Sequence, residues 1–169
     1  MRPALLDHRT ISGRFGRRRP YRVLLGPAAV VSSPARRDEL NTAALANLPG
    51  RGAWLVGHPD ELGTELQRLP AGTLHAVHRL PIGEIARATE AVPTVVHDEV
   101  LGYLGARDPR CGWVHVDHRR VHARERGGVV AFSLPASRRP VLLDLVPDRA
   151  DTVRLAACPR HDTPILRAR

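Results

Sequence analysis

Apolar positions along this chain follow two regimes that meet near Gly105. Before it, short apolar runs alternate with stretches of helical spacing; after it, they alternate only with turn-like clusters. Val23-Leu24-Leu25 and Ala28 to Val31 read as a strand buried on both faces, broken by Gly26-Pro27. Ser33-Pro34 opens a helix, with Ser as N-cap and Pro in the first turn, and Leu40, Ala44 and Leu48 as its inward stripe. Ala53 to Val56 predicts a strand. Pro59-Asp60-Glu61 then starts a second helix with Leu62, Leu66 and Leu69 on one face and its acids near the positive end. Thr73 to Val77 is the next strand, followed by a helical stretch from Ile82 to Ala91 with Ile82, Ile85 and Ala86 inward. For 94–104 two assignments compete: a strand at 94–96 followed by a helix over Glu99 to Leu104, or one helix throughout.

The second regime holds Trp113 to Val116, Val121 to Ala123, Val129 to Leu134, Val141 to Val146 and Val153 to Cys158. Their separators are rich in Gly, Pro and Arg and are too short for crossovers, so neighbouring strands are expected to pair antiparallel as a β-meander. The expected fold class is therefore mixed α/β: a strand-helix half, residues 21–105, packed as one domain with a meander half, residues 106–169. Residues 1–20, with Arg14, Arg17, Arg18 and Arg19 among glycines and no apolar period, read as a flexible basic arm. A symmetric turn at Pro147–Asp151 would set Asp144 opposite Arg154 as a cross-strand ion pair or, functionally, as a substrate-binding Arg positioned by its Asp.

Composition changes this picture only in places. The chain has 169 residues and 43% hydrophobic residues, ordinary for a folded domain. The net charge of +9 suggests a polyanionic partner, yet all 26 basic residues are Arg and none is Lys. Abundant Ala, Gly, Pro and Arg point to GC-rich codons, which account for part of that bias. Aromatic residues, at 4%, leave little material for stacking nucleic-acid bases. Met1 to Thr10 lacks the apolar core of a secretory leader, and no apolar run is long enough for a membrane helix, so a cytoplasmic protein is expected. Cys111 and Cys158 read as reduced thiols.

Candidate chemistry is diffuse. His115, His118 and His122 with Asp117 invite a metal, but on a continuous strand His115 and His118 face opposite sides. Cys158-Pro159-Arg160-His161-Asp162 gathers a thiol, an imidazole and a carboxylate near residue 169, where order is often lost, and adjacent residues seldom aim at one reacting atom. No metal site is expected and no cofactor is indicated. Nucleotide-binding, zinc-protease and serine-hydrolase motifs are absent, and without Lys no Schiff base forms.

One arrangement is coherent. If the first-half strands run parallel, Ser32, Ser33, His58, His78, His97 and Asp98 all lie at strand ends on one edge, where α/β sheets bind ligands. His97, His58, His78 and Asp98 are then the expected acid-base residues, and Ser32, Ser33, Arg124, Arg154 and Asp144 the expected substrate contacts. The expected function is a small-molecule enzyme or ligand-binding protein acting on an anionic substrate. The alternatives are a nucleic-acid-binding protein using Arg14–Arg22 with Arg119, Arg120, Arg124 and Arg126, and a non-catalytic protein, or a homo-oligomer, assembling through the meander edge.

Overall fold

The computed structural model describes residues 5–7, 21–23, 33–46, 53–67, 74–135 and 140–169. The protein is mixed α/β and mostly strand, and its contacts divide into two units, Met1–Val77 and His78–Arg169. Among the described residues no helix is long and apolar enough to cross a membrane.

In the first unit, β1 (Leu5–Asp7) lies between β2 (Tyr21–Val23) and β3 (Ala53–Gly57), parallel to both. Residues 5–7 thus form a ladder instead of belonging to a free arm; the arm's arginines at 14 and 17–19 lie outside the described residues. Helix α1 (Pro34–Ala46) begins as its sequence predicts: the Ser33 hydroxyl accepts the Arg36 N–H at 3.1 Å. Its inward stripe differs from expectation, since Leu40 is 39% exposed while Asn41 is buried. Helix α2 (Pro59–Gln67) covers β3 and buries Leu62, and Leu55 and Val56 of β3 are buried too.

The second unit takes up the end of β4 (Leu74–Pro81), a 3-10 turn over Ile82–Arg87 and β5 (Thr94–Asp98), which runs parallel to β4. The stretch read as a helix from Ile82 to Ala91 is this single 3-10 segment. Its period of three aligns Ile82 and Ile85 on the core and leaves Ala86 exposed, correcting the inward assignment of Ala86. Strand β6 (Gly102–Arg107) pairs antiparallel with β5, so the helix expected over 99–104 does not form. Its cause is local. The Asp98 carboxylate accepts the N–H groups of Val100 and Leu101 at 2.9 and 2.8 Å, and Gly102 takes φ +75°. Side-chain capping closes a tight turn where helical spacing alone predicts continuation.

β7 (Val114–Val116), β8 (His122–Arg126), β9 (Val129–Pro135), β10 (Pro140–Leu145), β11 (Val153–Ala157) and β12 (Pro164–Ala168) complete the unit. The expected single meander is divided: β8-β9-β10 pair as one in a sheet of their own, while β5-β6-β7 pair as another in the larger sheet. The other strands of this unit form a sheet in the order β11-β12-β7-β6-β5-β4. Strand β12, not expected from sequence, therefore sits inside a sheet, between β7 and β11. Phe132 and Val130 of the three-stranded sheet pack with Val96, Leu104, Val114, Val116, Val153 and Leu166 of the larger one. Arg169 joins the two sheets: its guanidinium donates to the carbonyls of Val153 and Gly128 at 2.9 and 2.7 Å and meets the Glu125 carboxylate at 2.7 Å.

One close approach governs the β6–β7 ladder. Gly105 is buried opposite Val116, and a Cβ there would lie inside contact distance of the His115 carbonyl. With backbone on the far side, nothing flexible can yield. Gly105→Ala is expected to lower stability by about 3 kcal/mol, the upper range for overpacking a core, and thermal unfolding measures it. Gly63→Ala, at a helical position with open space around it, is expected to raise the melting temperature slightly and serves as the control.

Candidate metal centre

Two hairpin loops of the second unit meet because of strand order. The β6–β7 loop spans residues 108–113 and the β11–β12 loop spans 158–163. Since β12 pairs antiparallel with β7, with Ile165 opposite His115 and Leu166 opposite Val114, the two loops emerge side by side. The first carries Cys111, with His115 just beyond it on β7, and the second carries Cys158 and His161. The ligand atoms of all four residues lie within 4.8 Å of one another.

Each loop is shaped locally. Asp108 closes the first: its N–H donates to the Trp113 carbonyl at 3.0 Å and its carbonyl accepts the Gly112 N–H at 2.8 Å. Gly112 turns the chain at φ +78°, a left-handed value that glycine adopts without strain. The Asp108 carboxylate grips Arg110 bidentately, with Nε at 3.2 Å and Nη2 at 2.9 Å, and also accepts the Arg110 N–H. Those hydrogen bonds hold the Asp108 carboxyl well below the usual carboxylate range. In the second loop the Arg160 N–H points at the Cys158 sulfur at 3.5 Å, while Arg160 Nη1 donates to the Arg110 carbonyl and ties the loops together. Cys158 is buried and Cys111 half-buried, both as free thiols.

The imidazoles are oriented through both nitrogens. His115 presents Nε2 to the Cys111 sulfur at 3.0 Å and Nδ1 to the Thr163 hydroxyl at 2.5 Å. His161 presents Nδ1 to the Cys158 sulfur at 3.3 Å, while its Nε2 lies 3.9 Å from the Asp108 carboxylate. The two rings meet edge to face, with centroids 4.9 Å apart. Burial, and then the neighbouring His161, lower the proton affinity of His115, which favours its neutral ring. Metal-binding histidines usually have the other nitrogen hydrogen-bonded; His115 has Thr163 there, while His161 has the Asp108 carboxylate nearby.

The residues fit a tetrahedral ion. With bonds of about 2.3 Å to sulfur and 2.0–2.1 Å to nitrogen, ligand atoms around zinc stand about 3.3–3.8 Å apart; here the two Cys–His pairs are at 3.0 and 3.3 Å and all four atoms lie within 4.8 Å. Two thiolates with two imidazoles are a borderline-soft donor set that suits zinc. The set differs from the sequence expectation of no metal site. His118 and His122, weighed with His115 as ligands, are exposed and take no part. The missed signal was that the chain's only two cysteines each have a histidine three or four residues away, as Cys-x3-His and Cys-x2-His, each Cys adjoining a Pro-Arg dipeptide. Either half supplies only two ligands, and nothing local says that the halves meet.

No known family, no curated protein and no solved structure matches this chain.

The residues expected to form the acid-base site are placed otherwise. His58 caps α2: its carbonyl accepts the N–H groups of Glu61 and Leu62 at 3.0 Å, and its Nδ1 lies 3.4 Å from the Asp60 N–H. His78 is in register with Thr94, and His97 with Pro81. An offset of three residues puts the two imidazoles on opposite faces of the sheet, about 10 Å apart along the strands. His97 packs edge-on against Tyr103, and Asp98 holds the β5–β6 turn. Ser33 caps α1, and Ser32 lies outside the described residues. Asp144 does not face Arg154. β10 pairs with β9, whereas Arg154 on β11 lies opposite Arg167 of β12. Asp144 instead forms an ion pair with Arg124 and lies 3.7 Å from Arg126. A double-mutant cycle on Arg124→Ala and Asp144→Ala is expected to give a coupling of about 0.5–1 kcal/mol, as for a half-exposed pair. The same cycle on Arg154→Ala and Asp144→Ala is expected to be additive.

Proposed function

We propose that this chain is a zinc-binding protein in which one Zn²⁺, held by Cys111, His115, Cys158 and His161, fastens two hairpin loops of the second unit. The observation that carries this reading is the convergence of four ligand atoms from two loops far apart in sequence, within 4.8 Å of one another. The outer contacts support it: Thr163 and Asp108 face the non-ligating nitrogens, and a backbone N–H faces one sulfur. In this reading the zinc is structural. Four protein ligands fill a tetrahedral sphere and leave no position for a water to be activated or a substrate to be polarised. The ion joins residues that the unfolded chain does not hold together, so its binding energy becomes folding energy of the unit. Both cysteines bind as thiolates, so zinc uptake releases protons and weakens as the pH falls.

Protein purified under reducing conditions is expected to carry one zinc per chain by elemental analysis. Replacing zinc by Co²⁺ is expected to give the intense visible bands of a tetrahedral sulfur-nitrogen site. Cys158→Ser and His161→Ala are each expected to lower zinc affinity by at least tenfold, and chelation is expected to lower the melting temperature of the wild type only. Substoichiometric zinc, with a melting temperature indifferent to chelator, would overturn the reading.

A further inference from the structure

A second surface of the same unit, separate from the metal centre and independent of it, carries an anion-binding pattern. Residues at i, i+2 and i+4 of a strand share a face, so His122, Arg124 and Arg126 project together from β8. All three are exposed, and β8 is the outer strand of its three-stranded sheet. The neighbouring strand places Ser133, Ala131 and Val129 in register with them, the first two buried. The intervening Glu125 points to the opposite face, where it is engaged by Arg169. Exposed Arg119 and half-exposed Arg120 lie in the turn just before β8.

The row has one acidic companion among the described residues. Asp144 sits at an irregularity of β10, with φ +50°, a left-handed value that side chains other than glycine rarely adopt. Its N–H is held by the Ser133 hydroxyl at 3.0 Å, and its carboxylate meets both Arg124 and Arg126. One carboxylate thus spans two guanidiniums whose side chains are still 50% and 73% exposed. The Cα atoms of Arg124 and Arg126 are two strand residues apart, about 6.6–6.8 Å, and both guanidiniums turn toward the same Asp144 oxygen. Three basic residues at that backbone repeat along an edge strand offer successive contacts to the phosphates of an extended chain.

We infer that the β8 face, through His122, Arg124 and Arg126, binds the phosphate backbone of single-stranded nucleic acid. Asp144 is a resident carboxylate that orders the guanidiniums and competes with phosphate for them. Aromatic side chains are absent from the face, so contacts are to phosphates and recognition is indifferent to base sequence.

Fluorescence anisotropy with a labelled 20-nucleotide single strand of mixed sequence, on the full zinc-loaded chain across a salt series, tests this. Affinity is expected to fall steeply with salt. Arg124→Ala/Arg126→Ala is expected to weaken binding at least tenfold and to flatten the log–log salt slope by about 1.4, the value for two phosphate contacts on a single strand. Asp144→Asn is expected to tighten binding severalfold. Arg36→Ala/Arg154→Ala removes the same charge elsewhere and is expected to change affinity less than threefold. Thermal melts confirm that each variant is folded. Absence of salt-dependent binding, an equal loss in the control pair, weakening by Asp144→Asn, or binding to duplex alone would each overturn the inference. Zinc-free protein that has lost the oligonucleotide only because it is unfolded shows the failure in the melt, so this test and that of the metal centre fail separately.

Discussion

The short pairing of β7 with β12 is the contact on which the second unit depends. Its described register is only two residue pairs, Ile165 with His115 and Leu166 with Val114, yet it joins segments about fifty residues apart. Closing so long a loop costs chain entropy, and burial of Val114, Ile165 and Leu166 offsets it. Everything on either side follows from it: β11 is carried in as the outer strand, and the loops at residues 108–113 and 158–163 become neighbours. A metal ion across these loops would brace this junction where the ladder is shortest.

The two segments that carry the candidate ligands are held by polar contacts of their own. Asp108 supports its loop through backbone hydrogen bonds, fixes Arg110 through its carboxylate and faces His161 from outside. Arg160 reaches from the second loop to the carbonyl of Arg110 in the first. Arginines thus serve here as struts, binding carbonyls and a carboxylate, not as free positive charge. Arg167 is used similarly, with its guanidinium 4.4 Å from the centre of the Trp113 ring.

That distinction bears on the net charge of +9. A formal excess of arginine says nothing about where the charge is available. In the second unit, Arg110, Arg160, Arg167 and Arg169 are committed to loops and sheet junctions. On β8 the guanidiniums of Arg124 and Arg126 share the single carboxylate of Asp144.

Local signals were legible in the sequence because local chemistry causes them. Ser33-Pro34 starts α1 and Pro59-Asp60-Glu61 starts α2, and the apolar runs at 114–116, 129–135 and 153–157 are strands in their expected places. Helical spacing misled at 82–91 and 99–104, where a period of three and a carboxylate-capped turn took over. Pairing was not legible. A run such as Val153 to Ala157 fits a ladder with β10 or with β12 equally well, since alternation sets which face is buried and not which neighbour lies alongside. The choice of β12 moved Asp144 away from Arg154 and onto Arg124. It also converted two half-sites, each too small to bind an ion, into four converging ligands. Residue types and caps belong to the sequence; the metal centre belongs to the tertiary structure, because only long-range strand pairing brings Cys111 and Cys158 within reach of one ion.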